Sequence, residues 1–243
     1  MITDAFNVTS REGSGGVDVS LATELASTVV INNNVITNNA LQGVRVVGSA
    51  SNSNITISNN MISDNVRNDT IGRGIFVWDS YGTINIINNE ITDHPNGIHL
   101  LTRGSLLDVT VIDNQLIRND IAMQIELGDD AIINLSAENN AFSENDIGVS
   151  VTDFDFSGSG GPTAGVALQV NIDFGGGILG SVGNNSFITP VGGTGFLIDL
   201  DTKPGVVVGA QHNWWGRGSG PTGPEMDVIF GHIDTSSPLG TAP

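Results

Sequence analysis

Six residues of this chain carry side chains suited to meeting a ligand: Arg45, Phe76, Trp78, His99, Arg103 and Glu126. A sugar ring needs a flat apolar face with hydrogen-bonding groups at its rim, and an aromatic beside charged groups supplies both. Arginine adds a forked donor for a carboxylate, while glutamate accepts from hydroxyls. A second chemistry would come from carboxylate pairs. Asp129 with Asp130, or Asp153 with Asp155, are candidates for a calcium site, because hard cations take oxygen ligands; each pair reads equally as a solvated turn. No other cofactor is implied. His94, His99, His212 and His232 lack metal-ligand spacing, and no catalytic residue is assigned.

What must position these residues is visible as an echo along the chain. An asparagine is followed two residues later by a large apolar residue at Asn34/Ile36, Asn60/Ile62, Asn89/Ile91, Asn114/Leu116, Asn140/Phe142, Asn185/Phe187 and Asn213/Trp215. The steps between these asparagines are 26, 29, 25, 26, 45 and 28 residues. A period of this length marks stacked repeat units. Before the first five anchors lies a period-2 strand, as in Ile55-Thr56-Ile57 or Ile84-Asn85-Ile86, and the residue just ahead of every anchor (Asn33, Asn59, Asn88, Asp113, Asn139, Asn184, His212) is a polar turn position. Asparagine suits such a turn because it tolerates left-handed backbone angles, which makes His212 a structural residue.

A second strand follows each anchor: Gly43-Val44-Arg45-Val46, Gly74-Ile75-Phe76-Val77, Gly97-Ile98-His99-Leu100, Ala122-Met123-Gln124-Ile125, Gly148-Val149-Ser150-Val151 and Gly195-Phe196-Leu197-Ile198, with Gly16-Val17-Asp18-Val19 as an earlier copy. Each coil therefore holds two or three short strands, and helical periodicity is absent. Neighbouring coils lie about 4.8 Å apart, which puts Arg45, Trp78, His99, Arg103 and Glu126 on one patch about three coils tall. The outward row of the first strand (Val30, Thr56, Asn85, Thr110, Ser136) is uncharged, so the second sheet is the better binding face. The alternative reading packs Phe76 and Trp78 under the turn Arg67–Arg73 or a neighbouring domain. It leaves His99 and Arg103 as ordinary residues in salt contact with Glu126.

The pattern resembles the right-handed parallel β-helix repeat proteins, the pectate-lyase-like superfold, over nearly the whole chain. The expected fold is all-β: a single-stranded right-handed parallel β-helix solenoid of about eight coils. Two motifs sharpen the resemblance. Asp173-Phe174-Gly175-Gly176-Gly177, followed by Gly183-Asn184-Asn185-Ser186-Phe187, looks like a segment of secreted members. His212-Asn213-Trp214-Trp215-Gly216 with Ile233–Leu239 is similar to the ending of many surface β-helix proteins. The resemblance implies a groove on the outer face of one sheet, but the enzyme motifs of the superfold are missing. Asp129-Asp130 stands without the other galacturonan-hydrolase motifs, Gly231-His232-Ile233 departs from Gly-His-Gly, and Asp93-His94-Pro95 scrambles the Asp-Pro-His of alginate epimerases.

Composition narrows the partners. Against 26 acidic residues stand 8 basic ones, for a net charge of -18. Phosphate neutralisation needs Lys and Arg, so nucleic acid is not an expected partner, and an anionic membrane surface is disfavoured for the same reason. No apolar stretch of spanning length exists. Cysteine is absent, which removes disulfides and thiolate metal sites. Met1-Ile2-Thr3-Asp4 has neither the basic start nor the apolar core of an export signal, and Asp4-Ala5-Phe6 fits the anchor pattern. The chain therefore reads as one β-helix domain, residues 1–243, the C-terminal part of a longer polypeptide with further coils upstream. Residues 154–164 form an inserted loop and 213–243 a closing segment. Phe6, Val17 and Val19 are expected at an open end.

The expected object is thus a non-catalytic segment of a secreted or cell-surface protein, of adhesin or stalk type, with a polysaccharide or glycan as the candidate ligand. The alternative is a carbohydrate-active lyase, epimerase or hydrolase with its site on the second sheet.

Overall fold

A computed structural model describes residues 2–3, 7–8, 15–21, 26–49, 51–65, 72–102, 106–128, 131–153, 169–188, 194–199, 206–216, 218–221, 228–230 and 232–243. Every regular element among them is a strand, and every pairing is parallel to the equivalent strand one coil away. Thr28–Asn32, Asn54–Ser58, Gly82–Ile87, Leu106–Ile112, Ile132–Glu138 and Gln169–Asp173 belong to a first sheet of nine strands. Three-residue strands such as Val35–Thr37 and Glu90–Thr92 form a middle sheet of seven. Gln42–Val47, Arg73–Trp78, Asn96–Thr102, Ile121–Leu127, Ile147–Asp153 and Thr194–Asp199 belong to a third sheet of eight. The strand read from sequence as the second is thus the third of its coil. The stack makes about six turns, slightly fewer than the eight expected, with shorter strands extending the sheets at either end.

The apolar column follows the expected register. Ile36 pairs with Ile62, Ile62 with Ile91, Ile91 with Leu116, Leu116 with Phe142 and Phe142 with Phe187. All are buried, and the column ends in an aromatic stack in which Phe187 lies 4.6 Å from Phe142 and 4.8 Å from Trp215, centroid to centroid. Val17 and Val19 depart from expectation. They are buried, not exposed, because they pair with Val44 and Val46 and join the same core. Phe6 and the loop 154–164 lie outside the described residues.

Two turns separate the three sheets, and both work alike. At the first, Asn33, Asn59, Asn88, Asp113, Asn139, Asn184 and His212 all take positive φ, between 53° and 64°, as their turn role requires. The anchor asparagines that follow point inward. Each of Asn34, Asn60, Asn89, Asn114, Asn140 and Asn185 donates Nδ2–H to the Oδ1 of the next, at 2.9–3.0 Å, ending at Asn213. Their remaining donors reach backbone carbonyls, so the buried polar column is paired from rung to rung, and among the described residues only its first oxygen, Asn34 Oδ1, lacks a donor. The second turn repeats the device five residues later. Asn38, Asp64, Asp93, Arg118 and Glu144 take positive φ, and Asn39, Asn65, His94, Asn119 and Asn145 form a second buried ladder.

The third sheet comes closest to the core at its glycines. A Cβ on Gly74 would stand 2.5 Å from Ile91 Cγ2 and 2.6 Å from the Gly97 carbonyl oxygen. That contact explains why the second residue of these third-sheet strands is small: Gly43, Gly74, Gly97, Ala122, Gly148 and Gly195.

Candidate functional site

The third sheet carries the candidate residues in register. Arg45 pairs with Phe76, Phe76 with His99 and His99 with Gln124; one row on, Val47 pairs with Trp78, Trp78 with Leu101 and Leu101 with Glu126. Arg45, Phe76, Trp78, His99 and Glu126 therefore come together as expected. Arg103 lies outside the described residues.

Their exposure differs from the expectation. Phe76 is 6 % exposed and His99 2 %, so neither offers an open face to solvent. Strand periodicity assigns these side chains to the outer face correctly, but an outer face is solvated only where nothing lies over it. Arg73, at the start of the same strand as Phe76, covers part of it: its guanidinium carbon sits 4.3 Å from the Phe76 ring centroid. Arg45 takes the same position over Trp78 at 5.9 Å, while also bonding Asp18 at 2.7 Å. The two rings lie 6.2 Å apart and 25° from parallel, stacked along the strand. Trp78 and Arg45 remain partly accessible.

Beside the rings runs a charge relay that sequence reading only partly found. Arg73 donates Nε–H to His99 Nδ1 at 2.6 Å. With Nδ1 accepting, the imidazole proton sits on Nε2, which lies 3.1 Å from Glu126 Oε2. The other Glu126 oxygen accepts from Gln124 Nε2 at 2.7 Å. Burial holds the His99 imidazole below its ordinary value, against the pull of Glu126 and with the help of Arg73. Burial likewise lowers Arg73, opposed by Glu126. The contact between His99 and Glu126 is the one the alternative reading proposed. Arg73 was missed because it lies at the edge of what reads as a turn; the signal was its place three residues before Phe76, within arginine's reach of the next coil.

Nδ1, the basic nitrogen, is taken by Arg73, while Nε2 stands at ion-pair distance from Glu126 without hydrogen-bond geometry, so the relay as it stands has no free base facing outward. Trp78 Nε1–H is buried and has no hydrogen-bond partner among the described residues. A buried donor without an acceptor carries a desolvation cost, and an incoming oxygen would relieve it.

Three of the four calcium candidates fall beyond what the structure describes. Asp129, Asp130 and Asp155 lie outside the described residues, and Asp153 ends the strand Ile147–Asp153. Among the described residues no three His, Asp or Glu side chains gather as a metal site would require. The buried acid Asp173 has a different use. Its Oδ1 accepts from the backbone N–H of Gly175 and Gly177, and its Oδ2 from Leu179 and Ser181, at 2.8–3.2 Å. The Asp-Phe-Gly-Gly-Gly motif is thus a loop wound around one carboxylate.

Residues 7–121 match the family described as "Right handed beta helix region". The chain is a right-handed parallel β-helix. The crystal structure of pectate lyase Pel9A superposes on this β-helix with a TM-score of 0.48 at 11 % identity, over 93 % of the β-helix and 52 % of the lyase chain. The β-helix spans about half the length of that structure. No curated protein matches the β-helix.

Proposed function

We propose that the chain is a non-catalytic, glycan-binding β-helix of a secreted or cell-surface protein, and that the ligand lies on the outer face of the third sheet. One observation carries this reading: two aromatic rings stacked 6.2 Å apart on one strand, flanked by two arginines and a glutamate, with Trp78 partly accessible. Trp78 offers its face to a sugar ring, Arg45 and Glu126 meet hydroxyl or carboxylate groups at the rim, and the indole N–H, without a partner among the described residues, can donate to a sugar oxygen. Successive sugars repeat at about the spacing of neighbouring coils, so one row of side chains meets one polymer. Secretion or surface display fits a sugar ligand, and upstream coils of the same polypeptide and an adhesin-like or stalk role belong to the same proposal.

The relay favours one second reading. His99 beside Glu126 is a pairing used for proton transfer, so a carbohydrate-active enzyme acting on this face is the alternative. A glycan array, run with and without calcium on the wild type and on Trp78→Ala, separates the readings. Binding that Trp78→Ala abolishes, with no release of reducing or unsaturated ends, supports the binding module. Equal binding by both proteins moves the site elsewhere, and product release establishes an enzyme.

A further inference from the structure

Arg73 holds a position that opposes the use of Phe76. Its guanidinium lies over the ring, and its Nε–H is tied to His99 Nδ1 at 2.6 Å. That bond exists only while Nδ1 carries a lone pair. A protonated imidazole would place an N–H against the Arg73 N–H and a positive charge against the guanidinium. The opposite nitrogen would meanwhile gain an ion pair with Glu126 Oε2, already 3.1 Å away and steadied by Gln124. Glu126 now faces one cation, Arg73, through a neutral ring. With His99 charged, the carboxylate is paired directly and Arg73 is left without an anion.

We propose that His99 is a proton-operated latch: neutral, it keeps Arg73 clamped over Phe76, and protonated, it releases Arg73 and uncovers the ring for a ligand. Among the described residues, the charged and hydrogen-bonding groups facing the imidazole are Arg73 from the preceding coil and Gln124 and Glu126 from the following one, with the Phe76 ring packed at 5.1 Å. Because burial lowers the imidazole's affinity for protons, the latch opens below the ordinary value of 6.5. Opening takes one proton from solvent onto Nδ1 and breaks one hydrogen bond. The ligand half of this inference rests on the glycan-binding reading, whereas the latch does not.

NMR on the labelled chain, from pH about 8 to about 5, tests it without any ligand. At high pH the His99 ring should show a protonated Nε2 and an accepting Nδ1, with the Arg73 Nε–H slow to exchange. As the pH falls, the two His99 nitrogens should converge. The Arg73 Nε–H and Phe76 ring signals should shift with the same midpoint. In Arg73→Ala the Phe76 signals should stay at their acid-state positions throughout. His99→Gln, which keeps an acceptor and cannot titrate, should hold the closed signals at every pH. His99 titrating while Arg73 and Phe76 stay flat would overturn the latch, as would an Nδ1–H tautomer at high pH. A second arm measures cellohexaose and xylohexaose binding across the same range. Affinity that rises several-fold in acid for the wild type, and not for Arg73→Ala, joins latch to ligand. A working latch with no binding at any pH defeats the glycan reading alone.

Discussion

Asn65 Nδ2 donates to His94 Nε2 across 3.0 Å, so an imidazole fills a rung of the second buried ladder that asparagine fills in the coils on either side. His94 passes its backbone N–H on to Asn119 Oδ1 and keeps the ladder continuous. Unlike an amide, it titrates. Burial pushes its value down to about 4 from the ordinary 6.5.

The sign follows from that depression. The folded chain binds the His94 proton less readily than the unfolded chain, so the neutral ring's contribution is fully present above pH 6.5 and is lost as the pH falls towards 4. The interval corresponds to about 3 kcal/mol. Urea unfolding at pH about 7 and about 4.5 should show this loss in the wild type and much less of it in His94→Asn. Equal acid sensitivity in the two proteins would remove His94 from the account.

Adjacent asparagines of one turn should differ sharply in cost. Asn89 is buried, donates to Asn114 Oδ1 and the Ile57 carbonyl, and accepts from Asn60. Asn89→Ala strands those partners and should cost about 3 kcal/mol. Asn88 is an outer turn residue at φ 53°, and Asn88→Ala should cost only about 1 kcal/mol, the strain of a left-handed alanine. Denaturant midpoints of the two variants, measured together, decide the matter.

Much of this was legible before the coordinates. The column from Ile36 to Trp215 follows from the anchor spacing, because a strand with one buried face must place every second residue inside. The second ladder was equally present in the letters, five residues after each anchor, yet His94 in place of asparagine hid the repeat. Exposure was the part least legible. Phe76 and His99 obey the outward periodicity and are nevertheless buried, since alternation gives the side of a sheet and not what covers it. Arg73 reaches its partner in the next coil, a contact that no pattern within one coil contains.

Asp173 should govern its loop. Asp173→Asn replaces one accepting oxygen with a donor that faces backbone N–H groups, leaving at least one of Gly175, Gly177, Leu179 or Ser181 unsatisfied at about 1–3 kcal/mol each. Hydrogen exchange at these four amides should accelerate well beyond that of the Ile91 strand. Unchanged protection would show that the carboxylate does not hold the loop.

Ile91 lies mid-column with no exposure and touches the space above Gly74. Ile91→Ala should cost about 2–5 kcal/mol. An unchanged denaturant midpoint would contradict the register of the middle sheet.

The glycan reading meets its most direct test at the Trp78 indole. Its N–H has no hydrogen-bond partner among the described residues, while Trp214 and Trp215 continue the middle sheet, Trp214 bridged to Ser186 and Trp215 stacked on Phe187. Titrating the labelled chain with the strongest array hit and following the indole N–H signals separates the three tryptophans. The account predicts a saturable shift of the Trp78 signal with Trp214 and Trp215 unmoved. A bound glycan that leaves Trp78 unchanged, or that moves the other two instead, would contradict it.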